Sequence, residues 1–247
     1  MGLRYQSNHW LRAGLELIFP RRCVYSGALL EDDAPLPHVS QAALENHLFP
    51  IQEPFCARCG YPFVSPSEAA GDCVNCSPGE PAFRRARSLV HLRGLGQKLV
   101  HELKYRGGLH LRADLEGIFR LFPAVSDFVA GATLVPVPLH PSRQRYRGFN
   151  QSEMVARGLA DASPGCRCES VLVRARRTAT QTRLNRAQRT SNVDGAFALA
   201  RGAQVLLLRR YVVIDDVATT GATLRACALA LREAGADIVD AATFAHG

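Results

Sequence analysis

The stretch Val212-Val-Ile-Asp215-Asp216-Val217-Ala218-Thr219-Thr220-Gly221-Ala222-Thr223-Leu224 decides the architecture of this 247-residue chain. The apolar run Tyr211 to Ile214 reads as a buried strand. Two adjacent carboxylates follow, then a loop of small residues. From Thr223 to Ala234 the apolar spacing is helical, and Gly235 supplies a C-terminal stop. Strand, small loop and helix form the repeating unit of an open α/β sheet, in which ligands bind outside the carboxyl ends of the strands. The loop amides and the helix N-terminus suit an anion. Thr219, Thr220 and Thr223 add hydroxyl donors, Ala218 and Ala222 keep the loop small, and Gly221 lets the backbone approach closely. Asp215 and Asp216 would repel a bare phosphate. As acceptors for sugar hydroxyls beside a phosphate they make sense, so the constellation points to a 5-phosphorylated ribose.

Outward from this unit the pattern repeats. Ser88–Leu92 and Thr133–Val137 read as strands, with a helix around Gln97 to Tyr105 between them. Asn150 with Glu153 three residues later has the form of a capping box opening a helix to about Ala160. Val205–Leu208 and Tyr211–Ile214 read as two strands, and Ala236–Phe244 as a closing one. Strands alternating with helices predict a mainly parallel, Rossmann-like sheet covered on its faces. Residues 1–82 differ: they hold 9 of the 14 prolines and five of the eight cysteines, with one short helical pattern at Leu11, Leu15 and Ile18. The division expected is a small module over 1–82 and an α/β domain over 83–247, each with its own core.

In the first part, Cys56-Ala-Arg-Cys59-Gly60 precedes Cys73-Val-Asn-Cys76 by a 13-residue spacer. Each Cys-x-x-Cys can wrap its backbone around a metal, and two of them complete the tetrahedral sulfur site that zinc prefers. Gly60 permits the turn after the first knuckle. Cys23-Val-Tyr-Ser26-Gly27 resembles a further knuckle with serine in the second ligand position, so one zinc is expected and not two. Cys166, Cys168 and Cys227 read as ordinary thiols.

The formal net charge is +8, and only Lys98 and Lys104 among 30 cations are lysines. Arginine matches phosphate with a planar fork of donors, so a polyanionic partner is one reading and an arginine-rich solvated surface the other. Hydrophobic residues make up 47% of the chain, which excludes wholesale disorder. No run of 18 apolar residues indicates a membrane span. The N-terminus lacks the order of a secretory signal, and a cytoplasmic location, including the inner face of the membrane, is the expectation. An ordinary P-loop nucleotidase is excluded, because no Gly-x-x-x-x-Gly-Lys-Ser/Thr occurs.

The quoted stretch resembles the phosphoribosyl-pyrophosphate (PRPP) signature of type I phosphoribosyltransferases. His101-Glu-Leu-Lys104-Tyr-Arg106-Gly107, Val135-Pro-Val-Pro138 leading to Arg143-Gln-Arg145-Tyr-Arg147-Gly148-Phe-Asn-Gln151, and Arg176-Arg-Thr-Ala-Thr-Gln181 leading to Asn192, extend the match. With the cysteine module in front, nearly the whole chain resembles the ComF/GntX family, in which a double zinc ribbon precedes a PRPP-binding domain. The resemblance implies Mg²⁺ held largely by the substrate and a flexible closing segment between Arg174 and Arg189, six arginines without an acid. Lys104 and Arg183 are the catalytic candidates. Arg143, Arg145 and Arg147 are candidates for pyrophosphate, and with Tyr146 and Phe149 they also have the cation-and-ring pattern of a single-strand groove. Members of the family are linked to natural competence, the handling of incoming single-stranded DNA with the uptake machinery, and others to sugar-acid utilisation. Three activities stay open: transfer of phosphoribose to a base or amine, nucleotide sensing without turnover, and DNA handling tuned by PRPP.

Overall fold

Period-two alternation along the central strand creates two cores. Val212 and Ile214 point to one face of the sheet, Tyr211 and Val213 to the other, and all four are buried. The computed structural model describes residues 20–65, 68, 73–76, 82–105, 108–176 and 195–247. Among them the elements run α1 (Gln41–His47), β1 (Ala86–His91), α2 (Gly94–Tyr105), α3 (Arg112–Leu121), α4 (Ala124–Val129), β2 (Thr133–Pro136), α5 (Pro141–Arg147), α6 (Gln151–Ala162), β3 (Arg167–Cys168), β4 (Leu172–Arg174), β5 (Phe197–Leu199), β6 (Arg210–Ala218), α7 (Ala222–Glu233) and β7 (Ile238–His246). Five strands pair in parallel in the order β1-β7-β6-β2-β3. The fold is therefore the α/β, mainly parallel arrangement expected from the sequence. Residues of α2, α3, α4 and α6 pack on one face and α7 on the other. β4 and β5 form a separate antiparallel pair over the α7 side.

Several expectations change. Val205–Leu208 is no strand: Leu206, Leu207 and Leu208 are exposed, and Leu208 has φ 65°, a left-handed conformation that cannot continue into a ladder. β6 begins only at Arg210, and it runs through both carboxylates to Ala218. The closing strand is central: β7 lies between β1 and β6, which explains why its eight residues from Val239 to His246 are all buried. Asn150 does cap α6, its Oδ1 accepting from the Ser152 N–H at 3.2 Å. Glu153 does not complete the box, because it accepts from Arg157 one turn on, at 2.7 and 3.0 Å. The Leu11–Ile18 helix lies outside the described residues.

Among the described residues, the early ones have no core of their own. Cys23, Leu36, Val39, Ala43, Leu44 and Leu48 pack into the same cluster as α2, α3 and α6. Phe83 and Ala86 join the α7 side. A short proline-rich segment encloses too little apolar volume for an independent core, so it borrows the sheet's. Backbone bonds secure the join: Ile51 N–H to Leu89 C=O at 2.8 Å and His91 N–H to Phe49 C=O at 2.9 Å. Gly94 allows the crossing, since a Cβ there would lie 2.4 Å from the His47 carbonyl oxygen. His38 adds a polar tie to buried Asp114, with Nδ1 2.8 Å from one carboxylate oxygen and the backbone N–H donating to the other at 2.7 Å.

Candidate functional site

The phosphate-loop candidate sits where β6 leaves the sheet. Thr219, Thr220 and Gly221 connect Ala218 to α7, and Gly221 occupies the N-cap at φ 70°. Nothing crowds its Cβ position, so the requirement for glycine is the left-handed backbone. The first bond within α7 is Arg225 N–H to Gly221 C=O at 2.9 Å. The amides that precede it are those an anion uses at a helix N-terminus. A cavity of about 270 Å³ opens here, lined by residues Asp215 to Leu224 with Leu92 and Lys104. Every loop residue singled out in the sequence, Ala218 through Thr223, lines this cavity.

Behind the loop the carboxylates are enclosed, not exposed. Asp216 is 4% exposed and pairs with Lys104 at 2.7 Å. Asp215 accepts from the Ser152 hydroxyl at 2.7 Å and from the Asp216 N–H at 2.9 Å. Burial, and then the neighbouring Asp216, push the Asp215 carboxyl up to about 7, against the pull of Ser152 and Lys104. The pair thus carries more negative charge than its cation neutralises, and it favours hydroxyl donors or a divalent cation beside it.

Lys104, Asp215, Asp216 and Thr223 also border a second hollow of about 210 Å³, whose other cations are Arg143, Arg147 and Arg174. Helical spacing sorts the arginines of α5. Arg143 and Arg147, four residues apart, reach the hollow. Arg145 lies by a different depression, with Pro141, Gln144 and Gly148, and Tyr146 is 95% exposed. Phe149 is half-buried and packs against the core. Arg147 donates to Gln151 at 2.7 Å. Arg183 lies outside the described residues, as does most of the expected closing segment. Arg174, at the head of that segment, instead belongs to strand β4 and is buried, with its guanidinium over the Phe197 ring at 5.2 Å. Burial, then Arg143, lower its pKa. Sequence reasoning missed Arg174 and Ser152 as site residues. The signals present were the apolar alternation Leu172-Val173-Arg174 and the place of Ser152 just inside a capped helix.

A metal-centre candidate lies beside the loop. The four sulfurs of Cys56, Cys59, Cys73 and Cys76 all lie within 4.8 Å of one another. Cys56–Cys76 and Cys59–Cys73 are each 3.6 Å apart. Four thiolates about 2.3 Å from one zinc ion would be about 3.8 Å apart, so the donors fit. Burial opposes a thiolate at Cys56, but the N–H groups of Cys59 and Arg58 outweigh it and bring its pKa down to about 7. The knuckle is closed by Gly60 N–H to Cys56 C=O at 2.9 Å and Cys56 N–H to Tyr61 C=O at 2.8 Å. Cys23 repeats this backbone: Gly27 N–H bonds Cys23 C=O, and Cys23 N–H bonds Ala28 C=O, both at 2.8 Å. Its sulfur accepts from Ser40 Oγ at 3.4 Å and is 2% exposed. Among the described residues it belongs to no metal-binding group.

No family model matches the chain. Individual relatives do. The DNA utilization protein YhgH of Salmonella typhimurium is 33% identical over 189 residues, 74% of this chain and 80% of the relative. Competence protein F of Haemophilus influenzae is 28% identical over 190 residues, 74% and 81% of the two chains. The chain belongs to the ComF family. Competence protein ComFC of Bacillus subtilis extends the likeness at 26% identity over 193 residues, 73% of this chain and 72% of the relative. Against the double ribbon expected of a ComF protein, this chain keeps the backbone of a further knuckle at Cys23 and replaces its second thiol with Ser26.

Proposed function

We propose that this ComF-family chain binds PRPP with Mg²⁺ and assists the handling of single-stranded DNA during uptake. The observation that carries the first half is the shared wall of the two hollows: a glycine-capped loop on one side, arginines on the other, and Asp215 with Asp216 between. The 5-phosphate occupies the loop, the ribose hydroxyls donate to the carboxylates, and the pyrophosphate faces Lys104, Arg143, Arg147 and Arg174. Asp215 and Asp216, with the ligand's own oxygens, would hold Mg²⁺, which would offset negative charge there. Lys104 then does two things: it holds Asp216 in place and presents a cation to the leaving pyrophosphate. Arg183, outside the described residues, is kept as the second catalytic candidate. In this reading residues 1–82 are a zinc-ribbon module docked on a phosphoribosyltransferase domain of residues 83–247.

The second half rests on what the relatives are called, competence and DNA utilization proteins, together with the +8 charge and the outward face of α5. Arg145 and the fully projecting Tyr146 lie outside the PRPP hollows, so DNA and PRPP occupy different surfaces. The chain works on the cytoplasmic side of the membrane; none of its described helices is long and apolar enough to cross one. Calorimetric titration with PRPP and Mg²⁺, followed by incubation with candidate bases and assay of released pyrophosphate, tests the reading. Binding with turnover makes the chain a transferase. Binding without turnover leaves sensing or DNA handling. No binding of PRPP overturns the site.

A further inference from the structure

The four-cysteine centre and the phosphate loop share a wall. A small pocket of about 10 Å³ lies between them, bounded by Cys59 and Cys76 on one side and by Thr220, Gly221, Arg225 and His246 on the other. Two polar atoms of its lining residues, His246 Nε2 and Arg225 Nε, are buried without a hydrogen-bond partner. Left unmet, each costs about 1–3 kcal/mol. The pocket is the size of one water molecule, which meets such groups in protein interiors.

The same residues are tied to both sides by direct contacts. His246 is 5% exposed and meets the Tyr61 ring edge-on at 5.6 Å, two residues beyond Cys59. It ends β7 in register with Ala218, the last residue before the loop, and the adjoining Gly247 N–H donates to the Ala218 carbonyl at 2.9 Å. Arg225 stands in the first turn of α7, bonded through its N–H to Gly221. On the metal side the knuckle is pressed onto the sheet. A Cβ at Gly60 would lie 2.6 Å from the Ala86 oxygen, and Ala86 N–H bonds the Arg58 carbonyl at 2.7 Å.

We propose that the metal centre and the phosphate loop are thermodynamically coupled through this pocket, with His246 and Arg225 as positioning residues bridged by one bound water. Metal occupancy then sets the affinity of the loop for a phosphorylated sugar. The proposal rests on the reading of the loop as a sugar-phosphate site. Coupling of this kind is reciprocal: whatever factor the metal adds to ligand affinity, the ligand adds to metal affinity. It is not what two modules with separate cores would do.

The test uses the full chain and ribose 5-phosphate. Titration calorimetry compares the metal-loaded protein with protein stripped by a chelator, and the expected loss of affinity is tenfold or more. In the converse measurement a chromogenic chelator competes for the metal at equilibrium. Saturating ribose 5-phosphate should raise the metal's affinity by the same factor, which needs no stripped protein and so stands even where stripping unfolds the chain. His246→Phe fills the pocket and keeps the ring on Tyr61 while removing the nitrogen. It should retain one metal and still bind the sugar phosphate, with the coupling factor reduced towards one. His246→Gln, which keeps a polar end, should restore part of it. Binding that is equal with and without metal, and metal affinity indifferent to ribose 5-phosphate, overturn the coupling alone. Failure of ribose 5-phosphate to bind the metal-loaded chain overturns the reading of the loop, and the coupling with it.

Discussion

Lys104→Met should destabilise the protein in a pH-dependent way. The ammonium lies 2.7 Å from the Asp216 carboxylate, with side-chain exposures of 27% and 6% for the two partners. Removing one partner of a buried ion pair costs about 3–5 kcal/mol because the other charge is stranded. Lys104 keeps some water, which brings the expected cost to about 2 kcal/mol. For a chain of this length that is a fall in Tm of about 4–8 °C. The deficit should depend on protonation. Asp215 already has its carboxyl raised to about 7 by burial and by Asp216, with Lys104 among the groups opposing the rise. Without Lys104 it rises further. A carboxyl whose folded pKa exceeds its unfolded one takes up a proton on folding, so the native state loses stability as pH climbs from about 4 through the folded value. The variant's deficit should therefore be larger at pH 8, where both carboxylates are ionised, than at pH 5, where Asp215 is protonated. Thermal unfolding followed by circular dichroism at the two pH values measures it. Lys104→Met with Asp216→Asn should recover most of the loss at pH 8, because Asp216 then carries no charge to strand. A Tm equal to the parent's at pH 8, or a deficit undiminished at pH 5, refutes the reasoning.

Asp215→Asn with Asp216→Asn should abolish PRPP binding in calorimetry while unfolding stays cooperative; parental affinity in that variant would remove the carboxylates from the site. Ribose 5-phosphate affinity should weaken as pH falls below about 7, where Asp215 takes up a proton and accepts more weakly from the sugar hydroxyls. Asp215→Asn should remove that dependence, leaving the phosphate's own ionisation near pH 6. Metal analysis should return one equivalent of zinc, none in Cys56→Ser and one in Cys23→Ser, since the knuckle at Cys23 offers a single thiolate. A labelled single-stranded oligonucleotide should bind with an affinity that falls steeply with salt, that drops about fivefold or more in Tyr146→Ala, and that is unmoved by saturating PRPP. Competition by PRPP would place DNA in the cleft instead.

The local chemistry of the two candidate sites was legible in the sequence, because neighbours along the chain build them. Two Cys-x-x-Cys knuckles fold their own backbones, and Asp215 to Thr223 is one continuous strand, loop and helix start. The same holds for the parallel sheet, since apolar runs alternate with helical periodicity over short distances. Locality also explains the failures. Val205–Leu208 has the composition of a strand, but the sheet offers it no partner and Leu208 turns away. Two carboxylates after an apolar run look like the end of a strand, while the ladder with β7 carries the strand past them. Only the tertiary structure decided what distant segments do to one another. Lys104 and Ser152 reach the Asp pair from two different helices, Arg174 is buried beside Arg143 from an antiparallel strand, and His246 joins Tyr61 of the cysteine module to the edge of the phosphate loop. None of these pairs has a spacing that sequence periodicity can register. They follow from packing the cysteine-bearing segment onto the cores of the sheet, because a segment that short cannot bury its own apolar residues without it.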